Sequence, residues 1–524
     1  MAGVVCRENS RESKPPQPVF PEARREGSRC RRGSMVVGPI LSAFLLPASA
    51  LLGLFPPAAE GSPPWPTPPN FVVVLLDDLG WTDLGCMGST YYETPHIDRL
   101  AAEGILFTNG YAAAAVCSPT RAALLTGRYP ARLGVTDWIR PWWVIGRLSP
   151  ESRNPTASVG GPDQKLLCPP NAFFLELEEI TIAELLGPAG YATAHIGKWH
   201  LGQEPHYPPK QGFEINIGGC DLGAPPRYFD PYQTRRQGEI VGIPTLPPRK
   251  EGEYLTDREA DEAVAFIRAN KDRPFYLQIW HYCVHTPLQA KPEVESRYAQ
   301  KTPTHHKNPT YAAMIESVDD AIGRIISTLE ECGLSQKTLI LFTSDNGGLL
   351  GPTDNRPLRL GKGYPYEGGI RVPWIARWKG VIAPGRRCST PISTIDVLPT
   401  LAELSGIRLP SDRPIDGKSL VPLLLGKEDF LKRALFWHFP HYRGEIGPFS
   451  VVRSGNWKLI RFYEGDRWEL YNLEQDLGES TDLSGAYPAK LRELQQILED
   501  FLRDTGARIP QPNPKYQPNE ATTP

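Results

Sequence analysis

At 524 residues the chain exceeds one ordinary domain, and its 40% apolar and 10% aromatic content supplies a sizeable core, which excludes a mostly disordered chain. A formal charge of −2 leaves no basic field able to hold nucleic acid, so no such partner is expected. The 55 prolines, about twice the usual ~5% share, are spread through connecting segments and predict many rigid loops.

The N-terminus reads as targeting sequence. Arg31 and Arg32 precede an apolar stretch from Met35 to Phe55, and Ala58, Ala59 and Gly61 follow. A basic flank, an apolar core and a small-residue exit predict an extension with a signal peptide over 1–61, hence an exported protein, periplasmic or secreted. The other reading is an uncleaved anchor, since the stretch nears the ~20 residues that span a bilayer. Pro39, Pro47 and Pro56 weigh against it, and membrane contact is expected only if the segment stays uncleaved. Cys86, Cys117, Cys168, Cys220, Cys283, Cys332 and Cys388 follow without a CxxC pair, so a structural zinc site is not expected and disulfide pairing stays open. Asn154 and Asn308 are each followed by Pro, which removes both glycosylation sequons and favours a bacterial exported protein.

Short β-prone runs then alternate with helix-period segments. Phe71–Leu76 reads as a strand buried on both faces; Ala192–Ile196, Phe275–Trp280 and Thr338–Thr343 are further strands. Ala260, Ala263, Val264 and Ile267 keep helical spacing behind a Thr256…Glu259 capping box, and Thr181…Glu184 is a second box. Tyr311, Ile315, Val318, Ile322, Ile325 and Leu329 form a longer helical stripe. This alternation predicts an α/β fold: a large, mostly parallel sheet with helices on both faces, over 66–430. Past residue 430, Val451–Arg453, Trp457–Phe462 and Trp468–Tyr471 predict a small antiparallel sheet, closed by a helix over 488–504, as an α+β subdomain over 431–510. The tail, 511–524, is expected to be disordered or draped on the surface.

Polar clusters follow four of the strands: Asp77-Asp78, Lys198-Trp199-His200, His281 to His285, and Asp345-Asn346. Reactive groups in open α/β sheets gather beyond the carboxyl ends of strands. Singly, an Asp pair or Asp-Asn-Gly is more often a turn, and a lone His is more often structural. Together, three Asp and an Asn offer only oxygen ligands, which suits a hard cation, while Lys and His supply charge and proton transfer around an anion.

Cys117-Ser118-Pro119-Thr120-Arg121, continuing through Leu124-Leu125-Thr126-Gly127-Arg128, resembles without a gap the signature of the formylglycine-dependent (type I) sulfatases of the alkaline-phosphatase-like superfamily. The resemblance runs from about Asn70 to Tyr471 with the clusters in the family's order, and the chain looks similar to bacterial sulfatases labelled arylsulfatase or N-acetylgalactosamine-6-sulfatase. It implies sulfuric ester hydrolysis. In that family the Cys becomes formylglycine (3-oxoalanine) through a formylglycine-generating maturation enzyme, and its hydrate takes sulfate on one hydroxyl and expels it through the other. By the same resemblance Asp77, Asp78, Cys117, Asp345 and Asn346 bind the metal, Ca²⁺ ahead of Mg²⁺. Arg121 holds the nucleophile's geometry, Lys198 and Lys362 contact sulfate, His200 assists turnover of the diol, and His285 contacts substrate and protonates the leaving oxygen. Arg371, in Glu367-Gly-Gly-Ile-Arg371, is expected to brace its loop.

The family's supporting hydroxyl after Gly212-Phe213 has no counterpart, leaving Cys220 and Asp221 as candidates to line the pocket. Trp138, Trp142 and Trp143, with Trp437 to Arg443, are placed to read a sulfated carbohydrate or aryl sulfate; core packing is the alternative for these Trp residues. Two rival functions remain: a phosphatase or phosphonate hydrolase of the same superfold, and a non-catalytic binder of sulfated glycans.

Overall fold

The computed structural model describes residues 63–427, 432–444 and 446–517. The expected signal peptide and the tail beyond 517 lie outside them. Among the described residues no helix is long and apolar enough to cross a membrane.

In chain order the elements that matter are strand β1 (Asn70–Leu76), β2 (Ile105–Phe107), helix α1 (Cys117–Thr126), β3 (Ala192–Gly197) and β4 (Ile215–Ile217). Next come α2 (Leu255–Ala269), β5 (Phe275–Trp280), α3 (Pro309–Glu331), β6 (Thr338–Ser344), β7 (Trp374–Arg377) and β8 (Arg386–Cys388). They build an eight-stranded sheet in the order β8-β2-β7-β6-β1-β5-β3-β4. Only β7 runs against the others. Alternation along β1 divides the core: Val72, Val74 and Leu76 pack with α2 and α3 on one face, while Phe71, Val73 and Leu75 pack with α1 on the other. Helices on both faces therefore explain why every residue of β1 is buried.

The Thr181–Glu184 capping box forms, with Glu184 N donating to Thr181 Oγ1 at 3.2 Å and Thr181 N to Glu184 Oε2 at 2.9 Å. The Thr256–Glu259 box does not. Helix α2 already begins at Leu255, which is fully buried, so Thr256 lies inside the first turn. Glu259 is drawn instead to buried His281, 2.6 Å from its Nδ1.

The C-terminal sheet has four antiparallel strands, β9 (Ala434–Phe439), β10 (Phe449–Ser454), β11 (Trp457–Phe462) and β12 (Arg467–Asn472), in that order. Helix α4 (Pro488–Asp504) covers one face through Leu494, Leu498 and Phe501. The other face packs Val451 and Ile460 against Val116 and Ile370 of the large sheet's loops. As far as residue 517 the tail is draped: Gln511-Pro512 pairs with Leu166-Leu167. No disulfide forms among the described cysteines.

Candidate active site

Neighbouring strands deliver the clusters to one edge of the sheet. Leu76 of β1 pairs with Ser344 of β6, so Asp77 and Asp345 leave the sheet side by side. Asp345 N donates to Leu76 O at 3.0 Å, carrying the ladder one residue past the strand. On the opposite side Lys198 N donates to Trp280 O, bringing the end of β3 to β5. Asp78 and His200 both hold left-handed backbone, φ 65° and 59°, which residues with a Cβ rarely adopt and which concentrates at functional sites.

Cys117 is the first residue of α1, a helix buried along its whole length. Thr120 Oγ1 accepts from Ala114 N at 3.0 Å, which fixes the approach to it. Cys117 Sγ lies 3.6 Å from Asp77 Oδ1. Lys198 Nζ reaches Asp77 Oδ2 at 2.6 Å, and Lys362 Nζ reaches Asp78 Oδ1 at 2.6 Å. Arg121 donates to Asp345 Oδ2 and, at 2.9 Å, to Lys198 O. It thus braces a carboxylate and the Lys198 turn. Three buried carboxylates face three buried cations, so the ring balances by itself. An added divalent ion would leave it positive and fit to receive an anion.

Burial pushes the Asp77 carboxyl up to about 7, with Lys198 opposing and Asp345 and Asp78 reinforcing the shift. Burial acts on Asp78 too, but Lys362 and His285 outweigh it and hold that carboxyl well below the usual range. Burial also raises the Cys117 thiol to about 12 despite both lysines, so the unmodified side chain is a protonated thiol at neutral pH and a poor nucleophile.

Two acceptor oxygens, Asp78 Oδ2 and Asn346 Oδ1, are buried with no hydrogen-bond donor. Orphaned oxygens of a carboxylate and an amide are what a hard cation satisfies, so the residues present fit Ca²⁺ or Mg²⁺. Ligand atoms of Asp77, Asp78, Cys117 and His285 lie within 4.8 Å of one another. Asp345 stands outside that group, held by Arg121.

The two histidines are set by their carbonyl partners. His200 Nε2 donates to Ile139 O at 2.9 Å, leaving buried Nδ1 without a partner. His285 Nδ1 donates to Thr286 O at 2.7 Å, which turns Nε2 to within 3.6 Å of Asp78 Oδ2. A carbonyl can only accept, so each assignment of the ring proton follows. Burial and then Lys362 hold the His285 pKa down to about 3.

A cavity of about 940 Å³ opens over Cys117, His200, His285 and Lys362. Trp138 and Trp143 form part of its wall and Trp142 lines an adjoining cavity, while half-buried Trp142 and Trp143 also pack against the core. The stretch after residue 437 behaves differently: Trp437 and Phe439 are buried in β9, and Trp437 Nε1 donates to Ala112 O. Only Arg443 of that stretch reaches the cavity. Cys220 and Asp221 do not line it. Cys220 is buried 3.5 Å from the Tyr282 hydroxyl, and Asp221 faces the adjoining cavity. Arg371 braces its loop through Thr108 O and Glu367.

Sequence reasoning gave Ser118 no role. Its Oγ donates to His200 O at 2.9 Å and accepts from Ile139 N at 3.0 Å, tying α1 to the His200 turn. Nothing in the motif marks that position. Tyr311, read only as part of the α3 stripe, donates to Asp83 Oδ2 at 2.7 Å and lies 3.2 Å from Asp78 O.

The chain matches the family model described as Sulfatase over residues 69–407, and that described as N-sulphoglucosamine sulphohydrolase, C-terminal, over 360–507. A sulfatase of Formosa agariphila is 33% identical over 83% of this chain and 87% of its own length. The N-acetylgalactosamine-6-sulfatase of Mus musculus is 35% identical over 85% of this chain and 82% of its own. Ps i-CgsB, solved in complex with k-i-k-neocarrahexaose, has a TM-score of 0.69 and 28% identity, covering 86% of this chain and 95% of that one.

Proposed function

Since the chain belongs to the sulfatase family, whose members are sulfuric ester hydrolases, we propose that it hydrolyses sulfate esters of a carbohydrate at Cys117. The observation that carries this reading is the pair of donorless oxygens, Asp78 Oδ2 and Asn346 Oδ1, set beside Cys117 and two buried lysines inside the family's motif. Relatives named N-acetylgalactosamine-6-sulfatase, and a neighbour solved with a neocarrahexaose, support carbohydrate ahead of an aryl ester.

Asp77, Asp78, Asp345 and Asn346, with the converted Cys117, would hold Ca²⁺ ahead of Mg²⁺, and the ion when bound supplies positive charge for the sulfate and acidity for a bound hydroxyl. Formylglycine at Cys117, made by a formylglycine-generating enzyme, supplies an oxygen nucleophile that can later be released as the aldehyde re-forms. The chain's own groups do the rest. Lys198 and Lys362 neutralise sulfate oxygens. His285 can exchange a proton only at Nε2, because Nδ1 is committed to Thr286 O. Nε2, bare in the neutral ring, must first take up a proton, which an arriving sulfate anion favours, and can then pass it to the leaving oxygen. His200 has only Nδ1 free to accept one, with Nε2–H committed to Ile139 O. Arg121 and Ser118 keep the Lys198 and His200 turns in place. Residues 66–430 are the catalytic part; 431–510 back the Lys362 loop. The protein is exported.

The test is co-expression with a maturation enzyme, mass analysis of the Cys117 peptide, and a panel of sulfated saccharides beside phosphate and phosphonate monoesters. Sulfate release that disappears in Cys117→Ala is expected. Phosphate release without sulfate release would sink the reading.

A further inference from the structure

The wall above the Cys117 site carries positive charge that the sulfate chemistry does not use. Arg443, Arg235 and Arg236 all line the cavity, and no Asp or Glu lines it. Among the described residues none of the three forms an ion pair. The nearby Glu239 pairs with Arg147 at 2.8 Å. Arg235 makes one long hydrogen bond, 3.5 Å to Gly238 O, and the Arg236 guanidinium lies 5.3 Å from the ring centre of Trp143.

Arg443 is held in place. Reciprocal bonds between Arg443 and Ile446 (2.9 and 3.1 Å) close a turn after β9. Its side chain lies against Gly363, where a Cβ would come within 2.1 Å of Nε. Gly363 follows Lys362 and donates to Ala115 O, two residues before Cys117. The half-buried side chain therefore lies beside the same loop that delivers Lys362.

Like charges gathered in a cleft repel, and an anion entering it relieves that repulsion. Arginine suits planar, bidentate capture of a carboxylate or sulfate. About 940 Å³ is near the top of the ~300–1,000 Å³ span of small-ligand sites, room for more than one sugar ring.

We propose that Arg443, with Arg235 and Arg236 of the hairpin formed by residues 233–242, makes a second anion site that takes a carboxylate or further sulfate on the saccharide whose sulfate ester reaches Cys117. This rests on the sulfatase reading and adds that the substrate carries at least two anionic groups. Trp143, with the Arg236 guanidinium over its ring, lines the same cavity.

Calorimetric titration of the full-length Cys117→Ala protein reads binding apart from turnover. The probes are a disaccharide with one sulfate and no other charge, the same disaccharide with a second sulfate, and the same with a uronate. One or both dianionic probes should bind at least about tenfold more tightly. Whichever gains identifies the group. Arg443→Gln and Arg236→Gln should each shrink that preference to under about threefold, while Arg443→Lys keeps part of it. Equal affinity for all three probes, or a preference that survives both Gln variants, overturns the proposal. Arg236 is exposed, so its variant reports even if Arg443→Gln folds poorly. Absence of sulfate release from every substrate would sink the sulfatase reading alone, because the binding preference is measured separately.

Discussion

Arg121 places both Nε (2.9 Å) and Nη2 (2.7 Å) on one oxygen of Asp345, Oδ2, and both side chains are fully buried. The other oxygen, Oδ1, accepts from Asp78 N at 3.3 Å. The arginine thus fixes the Asp345 carboxylate while its third bond, to Lys198 O, holds the neighbouring turn.

Arg121→Leu should therefore cost stability as well as activity. It leaves a buried carboxylate uncompensated, a loss of about 3–5 kcal/mol for a broken buried pair. Denaturant unfolding of the purified variant measures it; a midpoint within error of the parent would refute this account of Arg121.

Ca²⁺ should stabilise the protein. A cation that binds the folded chain alone adds about 2.7 kcal/mol at a hundred times its dissociation constant. Melting temperature should rise with Ca²⁺ and fall with chelator, and Asn346→Leu, which removes one donorless oxygen, should blunt the response. Identical shifts in parent and variant would place the ion elsewhere.

Lys458 ties the two sheets together. Its buried ammonium contacts Glu367 Oε1 at 3.0 Å and Glu479 Oε1 at 2.8 Å, and Glu367 opens the segment that leads to Arg371. Lys458→Met should destabilise by about 3–5 kcal/mol, because Glu479 loses its cation and Glu367 keeps only its ion pair with Arg371. It should also raise KM for sulfated substrate, because the Lys362 loop packs on the same segment through Gly361, Tyr364 and Gly369. A melting curve and a saturation curve test the two effects separately.

Acid should unfold the protein partly through His195. This ring is buried, with Nε2 donating to Gly197 O and Nδ1 accepting from Gln278, and burial holds its pKa down from 6.5 to about 3. The unfolded chain takes up the proton first, so the stabilisation is complete above pH 6.5. It is lost as pH falls toward 3, by up to about 1.4 kcal/mol per unit. His438 and His441, held near 4 by burial, act in the same sense. Melting temperature should drop between pH 6.5 and 4, and His195→Asn should drop by about one proton's share less.

Much of the site was legible because it is attached to legible strands. Phe71–Leu76 and Thr338–Thr343 announce themselves by composition, and the carboxylates after them emerge wherever those strands end. The motif from Cys117 to Arg128 is local and continuous, so it carries its own identification. Long buried runs and contiguous motifs are properties of neighbouring residues, and neighbours are what a sequence displays.

Partnerships across the chain were decided by packing alone. Lys362 meets Asp78, Glu259 leaves its expected cap for His281, and Arg443 reaches the cavity while Trp437 beside it is buried in β9. The sequence alone placed the chain among the sulfatases, because the Cys117–Arg128 motif is continuous and the polar clusters sit at four strand ends. Which charges pair, which oxygens are left without donors, and which arginines line the cavity depend on contacts between residues far apart in the chain, and only the tertiary structure sets them.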